Sequence, residues 1–357
     1  ASASLGIVYK ARLHNGEWVA VKIQRPNLRF IIRRDLAIIR SISIIVGPTL
    51  PLNLGFGIGE IIDEFGTSLF EEIDYAKEAK NAEKFSLLFD KNTSISIPNV
   101  EQMYSSDKVI TTSWVDGIKI QNKEDLEKNN INPKSIIRTA VISGIQQLLE
   151  FGYFHADPHP GNMFALHSDE NKLGKISYVD FGMMDTISDE DRLTLTAAIV
   201  HLINKDFFLL TKDFQKLGFL SKDEDLEGIT PTIKKILGDV LTKDVGSFNL
   251  KSVTDKFSEL MYKYPFRVPS RFALIIRAVV SQEGLALRLD PSFKIIRFAY
   301  PYIAKRLLTE QNDEMINILM EIIFDKDDHL QVDRLEGLIN VLVEESITPS
   351  KELIPVA

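Results

Sequence analysis

Two short segments constrain this chain more than any others: Phe154-His155-Ala156-Asp157-Pro158-His159-Pro160-Gly161-Asn162 and Val179-Asp180-Phe181-Gly182. In the first, Asp157 and Asn162 stand five apart among prolines and glycine, a composition that breaks helix and predicts a tight loop. That loop lies between a helical pattern, Ser135 to Phe151, and a short apolar run, Met163 to Leu166. Lys175 to Val179 then reads as a β-type run that delivers Asp180 at its end. Two carboxylates and an amide on loops at strand ends suit a divalent metal and phosphate. Mg²⁺ prefers hard oxygen ligands and takes only one or two protein carboxylates, with phosphate and water completing its shell.

Taken together, H-x-D-x-x-x-x-N followed by D-F-G has the spacing of kinase catalytic and metal loops. Asp and Asn more often merely cap turns. The order, spacing and strand–loop setting of the two segments weigh against that reading, because chance must produce all three at once.

Residues 1–24 predict a β-hairpin entered through a small-residue loop, Ala1-Ser2-Ala3-Ser4-Leu5-Gly6, in which small side chains would let backbone amides approach phosphate. Ile7, Tyr9, Ala11 and Leu13 alternate with Val8, Lys10 and Arg12, and His14-Asn15-Gly16 supplies the turn. The second strand carries Val19-Ala20-Val21-Lys22, the pattern of the strand that holds the phosphate-pairing lysine of a kinase. The entry loop lacks G-x-G-x-x-G and should be stiffer than a glycine-rich one.

A helical pattern from Pro26 to about Val46 bears Arg29, Arg33, Arg34 and Arg40, a basic face that would suit an anionic membrane or an acidic partner, although such faces are more often only solvated. Gly47 to Gly59 is a break. Ile61 to Phe89 reads as one long helix with Gly66 as its point of interruption, and Glu71, Asp74, Glu78 and Asn81 share one face. Lys22 needs a carboxylate partner to hold a phosphate, and Glu78 is the candidate. Ser96 to Val100 and Val109 to Trp114 predict two more strands. The second leads through Trp114-Val115-Asp116-Gly117 to the link between two lobes, where backbone groups near Ser113 and Val115 could meet an adenine edge. Pro133 to Phe151 predicts a helix with Ile136, Ile137, Ala140, Val141, Gly144, Ile145 and Leu148 facing inward.

After Asp180-Phe181-Gly182 only Met183 to Ile187 precede Ser188-Asp189-Glu190-Asp191, which opens another helix. A protein kinase has a longer segment there ending in A-P-E, and no A-P-E follows. This disfavours a protein substrate without excluding one. Residues 189–345 read as helices separated at Gly218, Pro231, Pro265, Pro269, Pro291 and Pro301. His155 is expected to shape the catalytic loop, and His159, His167 and His201 lack metal-ligand spacing.

Composition closes other routes. The net charge of −8 supplies no basic excess for nucleic acid, and with no cysteine there is no thiolate chemistry, disulfide or Cys-based zinc site. No apolar run reaches the roughly 18 residues that cross a bilayer. The chain starts inside a motif without Met, and reads as a fragment or truncated gene model whose targeting segment could be missing.

At this point the chain resembles the aarF/UbiB atypical kinase family, whose members support the biosynthesis of ubiquinone and other prenyl-quinones. The residues that carry the resemblance are Ala1-Ser2-Ala3-Ser4, Val19-Ala20-Val21-Lys22, Glu72-Ile73-Asp74 with Glu78 and Asn81, His155 to Asn162, and Asp180-Phe181-Gly182. Phe266-Arg267-Val268-Pro269 through Gln282-Glu283-Gly284, with Tyr300-Pro301-Tyr302, looks like the cyanobacterial and plastid branch. The resemblance implies an α+β, protein-kinase-like two-lobe fold. It divides into a small antiparallel-sheet lobe over 1–116, a large helical lobe over 117–345 and a tail over 346–357.

It implies ATP and Mg²⁺ as cofactors, with Ala3, Ser4, Ala20, Lys22, Glu78, Ser113 and Val115 at the nucleotide. Asp157 would take the position of the catalytic Asp beside Lys22, Asn162 and Asp180 would hold the metal, and Glu72 and Asp74 would form the family's own acidic motif. In the family that motif works with a K-x-G-Q helix, which lies upstream of this sequence. Ile7 stands where many members have Gln, and Asp185 where many have Gly. The implied activity is an atypical kinase or ATPase in prenyl-lipid or quinone metabolism. Prenyl-lipid or quinone-pathway enzymes and a peripheral membrane surface are the implied partners, in the cytoplasm or a plastid. A catalytically silent ATP-binding scaffold and a protein serine/threonine kinase are the alternatives. A small-molecule phosphotransferase would leave Glu72 to Asn81 unexplained.

Overall fold

The computed structural model describes residues 5–46, 58–167, 174–241, 266–310, 313–324 and 329–347. Contacts divide the chain into two units. The first holds residues 1–92, 96–117 and 177–184, and the second holds residues 93–95, 118–176 and 185–357. The division is not a single cut: the short segment Ser177–Met184, which contains the D-F-G triplet, returns to the first unit.

The first unit is built on a three-stranded antiparallel sheet in the order β1 (Gly6–Arg12), β2 (Trp18–Gln24), β4 (Val109–Ser113). Strand β3 (Ile95–Ser96) is only two residues long, and the run predicted to Val100 ends in an isolated bridge between Val100 and Thr112. The register Gly6↔Gln24 to Arg12↔Trp18 gives the predicted hairpin, although Ile7 and Tyr9 on one face of its first strand are exposed. The turn differs from a two-residue Asn-Gly turn: Leu13 and Glu17 close it, and only Gly16 has positive φ, at 95°. That is the three-residue hairpin loop with glycine at the left-handed position, where a Cβ would be penalised.

Helix α1 (Leu28–Val46) packs Leu28 and Ile32 with Ile73, and Leu36, Leu69 and Phe70 surround them. The long helix predicted from 61 to 89 is two helices, α2 (Ile58–Glu72) and α3 (Tyr75–Leu88). The break falls at Asp74 rather than Gly66. Asp74 leaves helical geometry and its side chain accepts from the Lys77 N–H at 3.0 Å, capping α3. Gly66 is inside α2 because α1 crosses there: a Cβ would lie 2.8 Å from Leu36 Cδ1. Glu71 therefore belongs to a different helix from Glu78 and Asn81, and the acidic face read along one helix does not exist. On α3, Phe85 is fully buried and meets Phe89, Tyr178 and Phe181, with ring centroids 5.0, 5.4 and 5.4 Å away. This aromatic cluster ties the segment carrying Asp180 to the helix carrying Glu78.

In the second unit β5 (Ile118–Lys119) pairs with the later β7, and α4 (Lys123–Lys128) precedes α5 (Pro133–Gln146). Helix α5 starts on an Asn132 cap with Pro133 in its first turn, as sequence rules predict. The predicted inward residues of α5 are buried. The helical run to Phe151 holds, but its last turn, Gln147–Phe151, widens to π geometry before Gly152 ends it at φ 65°. Strand β6 (Tyr153–His155), the catalytic-type loop and β7 (Met163–Leu166) follow. After β8 (Lys175–Tyr178) and β9 (Met184–Thr186), Ser188 Oγ accepts from the Asp191 N–H at 3.1 Å and opens α6 (Asp189–Ile203).

The remainder is helical: α7 (Phe207–Lys216), α8 (Leu226–Leu241), α9 (Ser270–Leu289), α10 (Ile296–Thr309), α11 (Asp313–Ile323) and α12 (Val332–Ile347). Gly218 follows α7 at φ 82°, and Pro269 caps α9. Pro231 and Pro301 lie inside α8 and α10 instead of between helices, each at the expense of a backbone hydrogen bond. Pro265 and the residues from 348 lie outside the described set. Helix α9 packs on α5 so closely that a Cβ at Gly144 would meet the Gln282 amide within 2.5 Å.

Candidate functional site

Lys22 sits mid-strand on β2, opposite Val8 on one side and Ile110 on the other. Its Nζ lies 2.9 Å from both carboxylate oxygens of Glu78 and 3.2 Å from Asp180 Oδ2. The Lys22 ammonium also stands 5.1 Å from the Tyr75 ring centroid, a cation–π distance. Burial alone would lower the lysine's pKa, but Glu78 and then Asp180 outweigh it and hold the ammonium above its usual value. Burial pushes the Glu78 carboxyl up, Lys22 pulls it back, and Asp180 adds to the rise. The result is a cation fixed charged at neutral pH with two carboxylates around it, one buried and one 39% exposed.

Asp180 owes its place to backbone strain and local hydrogen bonds. Its φ is 75°, a left-handed conformation that Asp tolerates better than most side chains. The Gly182 N–H donates to its Oδ1 at 3.3 Å, and Asn81 on α3 donates to the Phe181 carbonyl at 2.9 Å. Glu72, at the end of α2, brings its backbone carbonyl to within 3.9 Å of where a Cβ on Gly182 would stand. Its acidic-motif partner Asp74 is spent on capping α3.

The second unit carries the other predicted residues. The His155 N–H donates to buried Gln147 Oε1 at 2.9 Å, and the Asp157 N–H donates to His155 Nδ1 at 3.1 Å. The π turn thus positions the loop through Gln147. Asn162 Nδ2 donates to the Asp157 carbonyl at 3.2 Å, which leaves its amide oxygen as the available ligand atom. His159 Nδ1 accepts from the Gly161 N–H at 2.9 Å, so the ring's proton resides on Nε2, 3.8 Å from Asp157 Oδ2. Arg277 of α9 reaches the same oxygen at 3.4 Å.

Asp180 in the first unit offers a half-exposed carboxylate and Asn162 in the second an amide oxygen, each a hard donor of the type Mg²⁺ prefers. Among the described residues no three His, Asp or Glu side chains gather as a metal cluster.

The nucleotide contacts are less uniform. Ala3 and Ser4 lie outside the described residues. Ala20 pairs with Lys10 and Thr112 within the sheet. The Ser113 N–H donates to the Asn99 carbonyl at 2.8 Å and its hydroxyl accepts from the Asn99 N–H at 3.0 Å. Val115 lies in the connection after β4 and is a further backbone candidate for an adenine edge. Tyr75, Gln147 and Arg277 escaped the sequence reading. Nothing local marks Tyr75 or Gln147, and Arg277 lies in a stretch valued only for its branch resemblance.

Comparison with known proteins agrees with the geometry. Residues 1–213 match the ABC1 atypical kinase-like domain. The chain is 48% identical over 96% of its length to an uncharacterised protein of Synechocystis sp., covering 59% of that protein. It is 40% identical over 96% of its length to Protein ACTIVITY OF BC1 COMPLEX KINASE 1, chloroplastic, of Arabidopsis thaliana, covering 50% of it. The corresponding KINASE 3 of Arabidopsis is 38% identical over 95% of the chain, with 47% of it covered. The chain thus spans about half the length of these curated relatives. Among solved structures, the Rv3197–erythromycin complex from Mycobacterium tuberculosis shares the fold: TM-score 0.58 and 21% identity over 81% of this chain and 72% of that one. With both its sequence and its two-part kinase-like architecture pointing one way, this chain belongs to the ABC1 atypical kinase-like family, in a branch with cyanobacterial and plastid members.

Proposed function

We propose that this chain is the catalytic portion of an ATP- and Mg²⁺-dependent atypical kinase or ATPase that serves prenyl-lipid or quinone metabolism. The observation that carries the reading is Lys22 held between Glu78 and Asp180 at 2.9 and 3.2 Å, a fixed cation of the kind that would meet phosphate. Lys22 would neutralise phosphate charge, and Glu78 would keep it aimed. Asp180 and Asn162 would hold Mg²⁺, which supplies further charge neutralisation on the phosphates when bound. Asp157 would orient the attacking hydroxyl or water and take its proton. Val115 would meet the adenine edge.

The short span between Gly182 and the Ser188 cap supports a small acceptor over a protein one, since little chain is left to dock a peptide. No described helix is long and apolar enough to cross a membrane. Attachment at a membrane surface in a plastid or cyanobacterial cell rests on the family and on the chloroplastic names of the Arabidopsis relatives.

The test is Mg²⁺-dependent ATP turnover by the intact protein, with and without liposomes containing prenyl lipid, against Asp180→Asn. Turnover raised by the liposomes and lost in the variant supports the reading. ATP binding without turnover in any condition sinks it and leaves a scaffold.

A further inference from the structure

The H-x-D-x-x-x-x-N loop of this chain contains no permanently charged side chain besides Asp157 itself; its own basic residues are histidines. Arg277 fills that gap. It projects from α9, whose neighbouring positions Phe272, Ile275 and Ala278 are buried and whose Gln282 abuts Gly144 of α5. The backbone beneath Arg277 is therefore fixed by packing. Its guanidinium is 50% exposed and touches Asp157 Oδ2 through a single nitrogen at 3.4 Å. A half-exposed pair of that length contributes little to stability. Among the described residues only that one nitrogen is engaged, and a planar fork of five N–H donors matches a phosphoryl oxyanion better than it matches one carboxylate oxygen.

We propose that Arg277 is the cation that stabilises the phosphoryl group during transfer, acting beside Asp157; this rests on the kinase or ATPase reading above. The attacking oxygen forms the new O–P bond and gives its proton to Asp157. The bond from the γ-phosphorus to the β–γ bridging oxygen breaks, and its electron pair leaves on ADP. Arg277 forms no covalent bond and takes no proton. It donates to the equatorial oxygens where charge accumulates, and by releasing Asp157 Oδ2 it frees the carboxylate to act as base. Such a donor acts on the transition state more than on bound ATP.

The experiment compares the intact protein with Arg277→Gln and Arg277→Lys. ATP turnover, KM for ATP, thermal midpoint, and affinity for Mg-ADP with and without aluminium fluoride, a mimic of the group in flight, are measured. Removing an oxyanion donor of this type costs about 100- to 1000-fold in kcat. Arg277→Gln is expected to lose that much, with KM for ATP and thermal midpoint nearly unchanged. It should also lose most of the extra affinity that aluminium fluoride confers on ADP, and Arg277→Lys should fall between. Turnover equal to wild type overturns the inference. So does a turnover loss that leaves the aluminium fluoride affinity intact, which would place the guanidinium on the acceptor. A loss matched by a fall in thermal midpoint reduces Arg277 to a packing role and also overturns it. If the unaltered protein neither turns over ATP nor binds the mimic more tightly than ADP, the kinase reading falls first.

Discussion

Lys22 and Glu78, 56 residues apart, meet with the ammonium 2.9 Å from each carboxylate oxygen, and the glutamate is 3% exposed. Removing Lys22 strands the Glu78 carboxylate in a desolvated site, whereas removing Glu78 leaves Lys22 paired with Asp180. Lys22→Met is expected to cost about 3–5 kcal/mol, the penalty for breaking a buried ion pair from one side. The double variant Lys22→Met with Glu78→Met should cost less than Lys22→Met alone. Denaturant midpoints of the three proteins decide it; a double variant weaker than the single one would mean that the pair stabilises the fold in its own right.

Asp180 stands in a left-handed conformation with its carboxylate toward Lys22. Asparagine accepts that φ and keeps the shape while removing the charge. Asp180→Asn is expected to keep the thermal midpoint within a few degrees and to abolish Mg²⁺-dependent turnover. Asp180→Val should instead destabilise by about 1–3 kcal/mol, because a β-branched side chain is strained there. Calorimetric melts of both variants separate chemistry from strain.

The Tyr75 hydroxyl is buried and finds no hydrogen-bond partner among the described residues. It also blocks Gly6, where a Cβ would lie 2.4 Å from it and 2.9 Å from the Ile23 carbonyl. Tyr75→Phe is expected to be neutral or stabilising by about 1 kcal/mol, since an unsatisfied buried hydroxyl is removed. Gly6→Ala should destabilise by at least that much, and by less in the Tyr75→Phe background, though the Ile23 carbonyl keeps some of the penalty. A double-mutant cycle measures the coupling.

Tyr153, at the start of the strand that enters the catalytic-type loop, has its phenol pushed up to about 12 by burial. Its folded value lies above the unfolded value near 10, so its contribution is complete below pH 10 and lost as pH rises toward 12. Tyr75, Tyr300 and Tyr302 are raised too, mainly by burial, and add in the same direction. Stability measured against pH should decline across that window, and Tyr153→Phe should make the decline shallower. An unchanged slope in the variant would count against the assignment.

What the sequence determined by itself was local. Period-two patterning set the first hairpin, the Ser188 cap placed a helix start, and the spacing from His155 to Asn162 with the D-F-G triplet marked the family. These depend on side chains only a few residues apart, where periodicity and capping act directly on the backbone. Lys22 and Glu78 could be matched because a phosphate-binding lysine needs a carboxylate, not because any local pattern joins them.

Tertiary structure alone decided the rest. It ended α2 at Glu72 because Asp74 caps the next helix, and it kept Gly66 helical because Leu36 packs over it. The Phe85 aromatic cluster drew Ser177–Met184 to the first unit, and the packing of α9 on α5 brought Arg277 to Asp157. Each of these follows from which apolar surfaces bury one another across long stretches of chain, and that choice is made by the whole fold's packing rather than by any window of residues.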